Sequence, residues 1–234
     1  MSSYSRDIDA GSSWPVDATR RMNRMYRRQR HIYDGTRRYY LLGRDQMISG
    51  LRPAAGASVL EIGYGTGRNL VLAARLYPDA RFFGIDVSTE MLTSAITAIS
   101  RAGLASPIRV MHGDATAFDP QRLFGIHRFD HVMISYSLSM IHDWRRVLRA
   151  AAAHLKPGGR LHVVDFGRQE ALPGIARTLL RRWLAVFDVT PRDDLERELS
   201  AMADSTGAKL RLERPFRGYT QYGVLTLPPE PRTP

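Results

Sequence analysis

The chain of 234 residues has no cysteine, which excludes disulfides, cysteine-ligated metals and thiol nucleophiles together. Lysine is almost as scarce: only Lys156 and Lys209 occur, so arginine carries nearly all of the net charge of +11. No apolar run approaches the ~20 residues that a membrane-spanning helix requires. The opening Met1-Ser-Ser-Tyr-Ser-Arg-Asp7 lacks the apolar core of a signal peptide. These absences lead to the expectation of a soluble, cytoplasmic protein. What is present suits one compact domain with a substantial core, at 44% hydrophobic and 9% aromatic residues.

The positive charge is concentrated near the start. Nine arginines fall between Arg20 and Arg44, against Asp34 and Asp45. Such a field attracts polyanions, whether nucleic acid or an anionic membrane surface. A solvated helix face is the other reading of the same residues.

Residues 1–14 are polar and expected to be disordered. Residues 15–50 read as a basic helical segment: Met22, Met25, Tyr26, Ile32 and Tyr33 recur near helical spacing, and Gly35 separates a second helix running through Tyr39-Tyr-Leu-Leu42. From 51 to 227 short apolar strands alternate with helices. Strands are predicted at 58–62, 81–85, 108–111, 130–135 and 160–165, and helices at 68–76, 90–101 and 144–155, the last stopped by Lys156-Pro-Gly-Gly159. This is the pattern of a parallel sheet covered on both faces. Residues 173–203 read as helical, with a new helix starting at Pro191, and 209–213 with 219–227 as an antiparallel strand pair. Residues 228–234 are expected to be a frayed tail.

The first strand ends in Glu61-Ile-Gly63-Tyr64-Gly65-Thr-Gly67. Ligands of open parallel sheets bind at the carboxyl ends of the strands, and glycines there let a ligand approach the backbone. A dinucleotide fingerprint places its third glycine five residues after the first, where this chain has Arg68. Glu61 would repel a pyrophosphate and suits a cationic ligand. Asp86, after the second strand, can accept both ribose hydroxyls of a nucleoside. Asp114 follows the third strand and can take an adenine amino group, with Ala115 offering a backbone amide and Met91 packing on the ring. Tyr64, Val87 and Ser135 complete this candidate set.

The order Glu-x-Gly-x-Gly-x-Gly, Gly-x-Asp, Gly-Asp-Ala, Leu-Lys-Pro-Gly-Gly resembles the class I methyltransferases over about residues 50–227. The resemblance implies an α/β fold: a seven-stranded, mostly parallel Rossmann-like sheet with one antiparallel strand and helices on both faces. It also implies S-adenosyl-L-methionine as cofactor, with S-adenosyl-L-homocysteine as product. The segment from Arg24 to Asp45, with Ser139-Met-Ile-His-Asp-Trp144 and Leu161-His-Val-Val-Asp-Phe166-Gly, resembles the diacylglyceryl-homoserine N-methyltransferase of bacterial betaine-lipid synthesis. That family makes diacylglyceryl-trimethylhomoserine, after a 3-amino-3-carboxypropyl transferase has made its substrate. Close relatives methylate phosphatidylethanolamine or quinone precursors and share the core motifs.

A nucleic-acid acceptor is not expected. The stretch Ile134-Ser-Tyr136-Ser-Leu-Ser139 lacks the Asn/Asp-Pro-Pro-aromatic motif of amino-methylating DNA enzymes, and cytosine-C5 chemistry needs a cysteine. A basic segment interleaved with Met, Tyr and Ile can instead lie on an anionic bilayer, at the inner face of the cell membrane. The helix at 173–187 is either a second apolar membrane contact or a helix burying one face against the sheet. For an amine acceptor, Tyr33, Tyr40, Tyr136, His142 and Asp165 are the candidates at the rim, the tyrosines to orient the amine and hold the methylated cation. His142 is a candidate base or equally a helix-capping surface residue. Arg38 or Arg44 would pair with the substrate carboxylate. Three transfers require product to leave three times, so the N-terminal helices would act as a lid.

Overall fold

Every residue of β1 (Ser58–Ile62) is buried, as a strand covered on both faces must be. In the computed structural model, which describes residues 41–230, β1 pairs in parallel with β2 (Arg81–Asp86) on one side and β4 (Phe129–Ser135) on the other. With β3 (Ile108–His112), β5 (Leu155–Phe166), β6 (Lys209–Glu213) and β7 (Thr220–Thr226), the order is β3-β2-β1-β4-β5-β7-β6. β7 runs antiparallel to both β5 and β6, because the link after β6 is too short for a crossover. The expected seven-stranded sheet with one reversed strand is therefore present.

Helices cover both faces. On one lie α1 (Arg44–Leu51), α2 (Arg68–Leu76), α3 (Thr89–Arg101) and α6 (Gly174–Val186), packing Met47, Leu51, Leu70, Ala73, Ala95 and Leu184 against Val59, Phe82, Met133 and Val164. On the other lie α4 (Pro120–Phe124), α5 (Trp144–Ala153) and α7 (Leu195–Thr206). There Trp144, Val147, Leu148 and Ala151 form an i, i+3, i+4, i+7 stripe against Leu60, Val132, Leu161 and Leu225. Strand residues alternate between the two cores, as the period of two requires. The strand order turns back between β1 and β4, which opens a crevice at their carboxyl ends.

Four local expectations change. α1 starts at Arg44, because Gly43 takes φ +82° and a Cβ there would lie 3.0 Å from the Thr220 side chain. Met47 and Leu51 are fully buried in the sheet's core, so a boundary at 50/51 falls inside α1. β5 starts at Leu155 and bulges through 156–159 between the Phe129–Leu155 and His131–Arg160 pairs. Asp130 clamps that bulge, accepting from Lys156 Nζ and from Ser58 N and Oγ, each at 2.8 Å. α4 was not foreseen, although Asp119 caps it onto the N–H groups of Gln121 and Arg122, with Pro120 as its first residue. The helix expected from Pro191 begins at Leu195, after a turn in which the Leu195 N–H bonds to Arg192 O at 3.0 Å.

A row of buried polar rings crosses the sheet away from the crevice. His131 Nδ1 lies 3.4 Å from His162 Nε2, and His162 Nδ1 lies 3.0 Å from Tyr222 Oη. Burial, with Arg160 acting in the same direction, lowers His131 to about 4; burial, His131 and Arg160 lower His162 to about 3. An imidazole harder to protonate in the fold than in the unfolded chain contributes stability that is complete above about pH 6.5 and is lost as the pH falls toward the folded value. Between about pH 7 and about pH 5, wild type should lose on the order of 2–4 kcal/mol more stability than a His131→Gln, His162→Gln double variant in urea unfolding. Parallel pH profiles would show that the pair carries no such linkage.

Candidate functional site

β1 delivers Glu61 to the crevice, and the chain turns through 63–67 before entering α2. Gly63 has φ +74°, and a Cβ there would approach the Ser137 Cβ to 2.6 Å; Gly67 has φ +78° and a virtual Cβ 3.1 Å from Ala95 Cβ. Larger residues would be both strained and crowded at these two positions. A cavity of about 820 Å³ opens beyond the loop at the carboxyl ends of β1 to β4.

Three of the acids that line it stand at or just past the ends of β1, β2 and β3. Glu61 is 1% exposed. Its Oε1 accepts from Asn69 Nδ2 at 2.7 Å, while Oε2 has no hydrogen-bond partner among the described residues. Burial pushes its carboxyl group up to about 8, against the opposing pull of the Asn69 hydrogen bond and the Arg44 charge. Asp86, at the end of β2, accepts the Gly65 N–H on Oδ2 and the Ser88 N–H on Oδ1, both at 2.9 Å, which fixes its carboxylate plane beside the loop. Asp114 uses Oδ1 to accept from Thr116 N and Oγ1, each at 2.8 Å. Val87, Ala115 and Ser135 also line the cavity, and the buried Ser135 Oγ is unpaired among the described residues. An orphaned buried carboxylate oxygen calls for a donor or a cation. Glu61 with the acids at 86 and 114 fits a nucleoside that carries an ammonium group.

Several expected residues do other work. Met91 is buried and takes no part in lining the cavity; its backbone N–H bonds to Ser88 Oγ at 3.3 Å, capping α3. Tyr64 borders the cavity, but its ring packs under the loop in the core against Gly84. Tyr136 also borders the cavity, yet it is only 5% exposed, and its hydroxyl donates to Leu42 O at 2.5 Å and meets Thr220 Oγ1 at 2.8 Å. Burial drives its hydroxyl far above the usual tyrosine range. It ties the entry of α1 to β7 and is not placed to orient an amine. Asp165 is fully buried and outside the cavity wall; it accepts the Phe166 N–H at 2.7 Å and the Ser139 N–H at 3.1 Å. Burial raises it to about 6. Its role is to hold the 3-10 turn Leu138–Met140, not to bind substrate at the rim. Arg44 lines the cavity, but on the Glu61 side, with Nε donating to Leu41 O at 3.1 Å. His142 is exposed and lines the far end. Tyr33, Arg38 and Tyr40, and the part of the expected lid up to residue 40, lie outside the described residues.

The far wall includes residues that the sequence did not single out. Arg192 donates from Nε to Leu138 O at 3.0 Å and from Nη2 to Ile141 O at 2.8 Å, and the Thr190 N–H bonds to Ser139 O at 2.9 Å. These bonds bring Asp188, Thr190 and Arg192 into one wall with Ser139 and His142. Asn69 was likewise missed, though its place two residues past the last glycine of the loop was a usable signal.

A family model described as "Methyltransferase domain" matches residues 59–159. The match covers less than half of the chain. The chain is 30% identical over 146 residues to demethylmenaquinone methyltransferase of Listeria monocytogenes serotype 4a (strain HCC23), covering 62% of this chain and 56% of that protein. The chain thus spans about half the length of the curated relatives it matches. Among solved structures, an O-methyltransferase family protein of Burkholderia thailandensis superposes with a TM-score of 0.70 at 16% identity, over 92% of this chain and 64% of that one. Phosphoethanolamine N-methyltransferase 2 of Haemonchus contortus, in complex with S-adenosyl-L-methionine, gives 0.64 at 16%, over 80% and 52%. The fold is the Rossmann-like fold of those methyltransferases.

Glu61→Gln should weaken S-adenosylmethionine binding about tenfold or more by calorimetry. Asp165→Asn should leave that affinity within about twofold while costing about 1–3 kcal/mol of stability. The reverse pattern would exchange the roles given to the two carboxyl groups.

Proposed function

We propose that the protein is an S-adenosylmethionine-dependent N-methyltransferase acting on the amine of a lipid head group, converting diacylglyceryl-homoserine to diacylglyceryl-trimethylhomoserine in three transfers. The observation that carries this reading is the far wall of the cavity, where Asp188 and Arg192 present opposite charges beside His142 and Ser139. A homoserine head group carries an amine and a carboxylate, and that wall complements both. The sequence resemblance of 24–45 and 139–144 points the same way, and the phosphoethanolamine enzyme shares the fold.

When bound, S-adenosylmethionine supplies a methyl group on a sulfonium centre, open to in-line attack by an amine lone pair. Glu61 would hold the ammonium of its methionine part, Asp86 the ribose hydroxyls and Asp114 the adenine amino group. Arg44, beside Glu61, would hold the cofactor's own carboxylate. The loop at 63–67 holds the near end while the 138–142 wall aligns the acceptor, so the chain contributes mainly orientation. An ammonium group has no lone pair, so each attack by the amine needs a proton removed first; His142, at the open end, can take it to solvent. In this reading the acceptor comes from a reaction that installs a 3-amino-3-carboxypropyl group on a diacylglycerol, and the enzyme works at the inner face of the cell membrane.

A second reading, carbon methylation of a quinone precursor, is favoured by the identity to the demethylmenaquinone enzymes. Labelled S-adenosylmethionine should be offered with vesicles containing diacylglyceryl-homoserine, phosphatidylethanolamine or demethylmenaquinone. Label is expected in the homoserine lipid, and Arg192→Gln should raise its KM about tenfold or more. Label in the quinone, or in none of these acceptors, would overturn the proposal.

A further inference from the structure

α6 is apolar on two sides, and only one of them is buried. Leu184 is covered by the sheet's core and Leu180 packs against it. Ile175, Leu179 and Val186, spaced four and seven apart on one face, are 80%, 61% and 74% exposed. The helix contains no acid, and its Arg177 and Arg182 are exposed and form no ion pair among the described residues. A second element does the same thing. The turn after β6 exposes Phe216, at 51%, beside Arg217, which also forms no ion pair among the described residues.

The two features sit on one end of the molecule. Thr220 pairs with Phe166 at the carboxyl end of β5, so the turn lies at the same end of the sheet as the cavity. The segment entering α6 is bonded to that turn, Gly167 N to Tyr219 O and Gln169 N to Gly218 O, each at 2.8 Å. Ala185, on a flank of α6, lines the cavity itself.

We infer that the outer face of α6, with the Phe216 turn, is the surface by which the protein lies on an anionic lipid bilayer, with the cavity opening at that surface. An apolar row bordered by unpaired arginines is complementary to an interface that offers acyl chains beneath anionic head groups. A helix of 13 residues is too short to span and suited to lying in the interface. This surface rests on the lipid-acceptor reading for its purpose, because it brings a membrane-anchored amine to the cavity wall without extracting the lipid. It does not rest on which head group is methylated.

The test is vesicle flotation of the full chain with phosphatidylcholine vesicles, with and without about a third phosphatidylglycerol. Ile175→Glu, Leu179→Glu, Val186→Glu together should weaken binding about tenfold or more, and Arg177→Glu with Arg182→Glu should remove the preference for anionic vesicles. Both variants should keep the wild-type unfolding midpoint and S-adenosylmethionine affinity, which shows that they fold. Flotation within about twofold of wild type for both variants would overturn the proposal. So would a change from dimer to monomer by light scattering with flotation unchanged, since the face would then be covered by a second copy. Methyl transfer to the homoserine lipid dispersed in detergent separates the two readings: the apolar-face variant should retain it while losing transfer on vesicles. Absence of transfer in detergent, with flotation lost in the variant, would overturn the acceptor and leave this surface standing.

Discussion

At the end of the central strand a carboxyl group is held where water does not reach it. Glu61 is fixed there by the sheet: β1 is flanked by β2 and β4 and covered on both faces, so its last residues are buried and Glu61 meets only the floor of the cavity. One oxygen is held by Asn69 and the other has no partner among the described residues. An isolated buried carboxylate is expensive, and the group responds by keeping its proton to about pH 8. Its charge becomes favourable when a cation arrives to share the burial. The surrounding geometry follows from this constraint. Glycines at 63, 65 and 67 take left-handed conformations that carry the chain around the carboxyl group, and Asp86 pins the loop through the Gly65 N–H.

The two halves of the cavity are built differently. The cofactor side comes from consecutive residues at strand ends, whose positions are set by the parallel sheet itself. The far wall is assembled from segments distant in the chain. Asp165 on β5 holds the Ser139 N–H, Arg192 holds the Leu138 and Ile141 carbonyls, and Thr190 returns to Ser139. A buried carboxylate that accepts two N–H groups is a strut, and its removal should disturb the wall through position and not through chemistry.

The sequence made the first half readable for the same reason. Glu61, the glycines, Asp86 and Asp114 are local signals: each sits where a strand ends, and each needs a residue type that few others replace. The alternation of strands and helices, and the closing antiparallel pair, were equally legible from periodicity. The second half was not. Tyr136 follows β4 and Asp165 is the last residue but one of β5, positions that suit a rim residue, but their side chains turn inward to Leu42, Thr220 and the 3-10 turn, which no spacing reveals. Met91 fits an adenine-packing position in order along the chain, yet its side chain is buried away from the cavity. Arg192 was hidden by Pro191, which reads as a helix start, while the helix begins only at Leu195. Helix α6 showed its two faces in the sequence, but only the structure separates the buried Leu184 from the exposed Leu179.

With burial pushing its carboxyl group up to about 8, Glu61 is expected to be neutral near neutral pH until a cation binds beside it. Carboxyl-carbon NMR of glutamate-labelled protein at neutral pH, with Glu61→Gln to assign the resonance, tests this directly. The Glu61 signal should stand at its protonated position in the free protein and move to the carboxylate position when S-adenosylmethionine is added. A signal already at the carboxylate position, unmoved by saturating cofactor, would contradict the account.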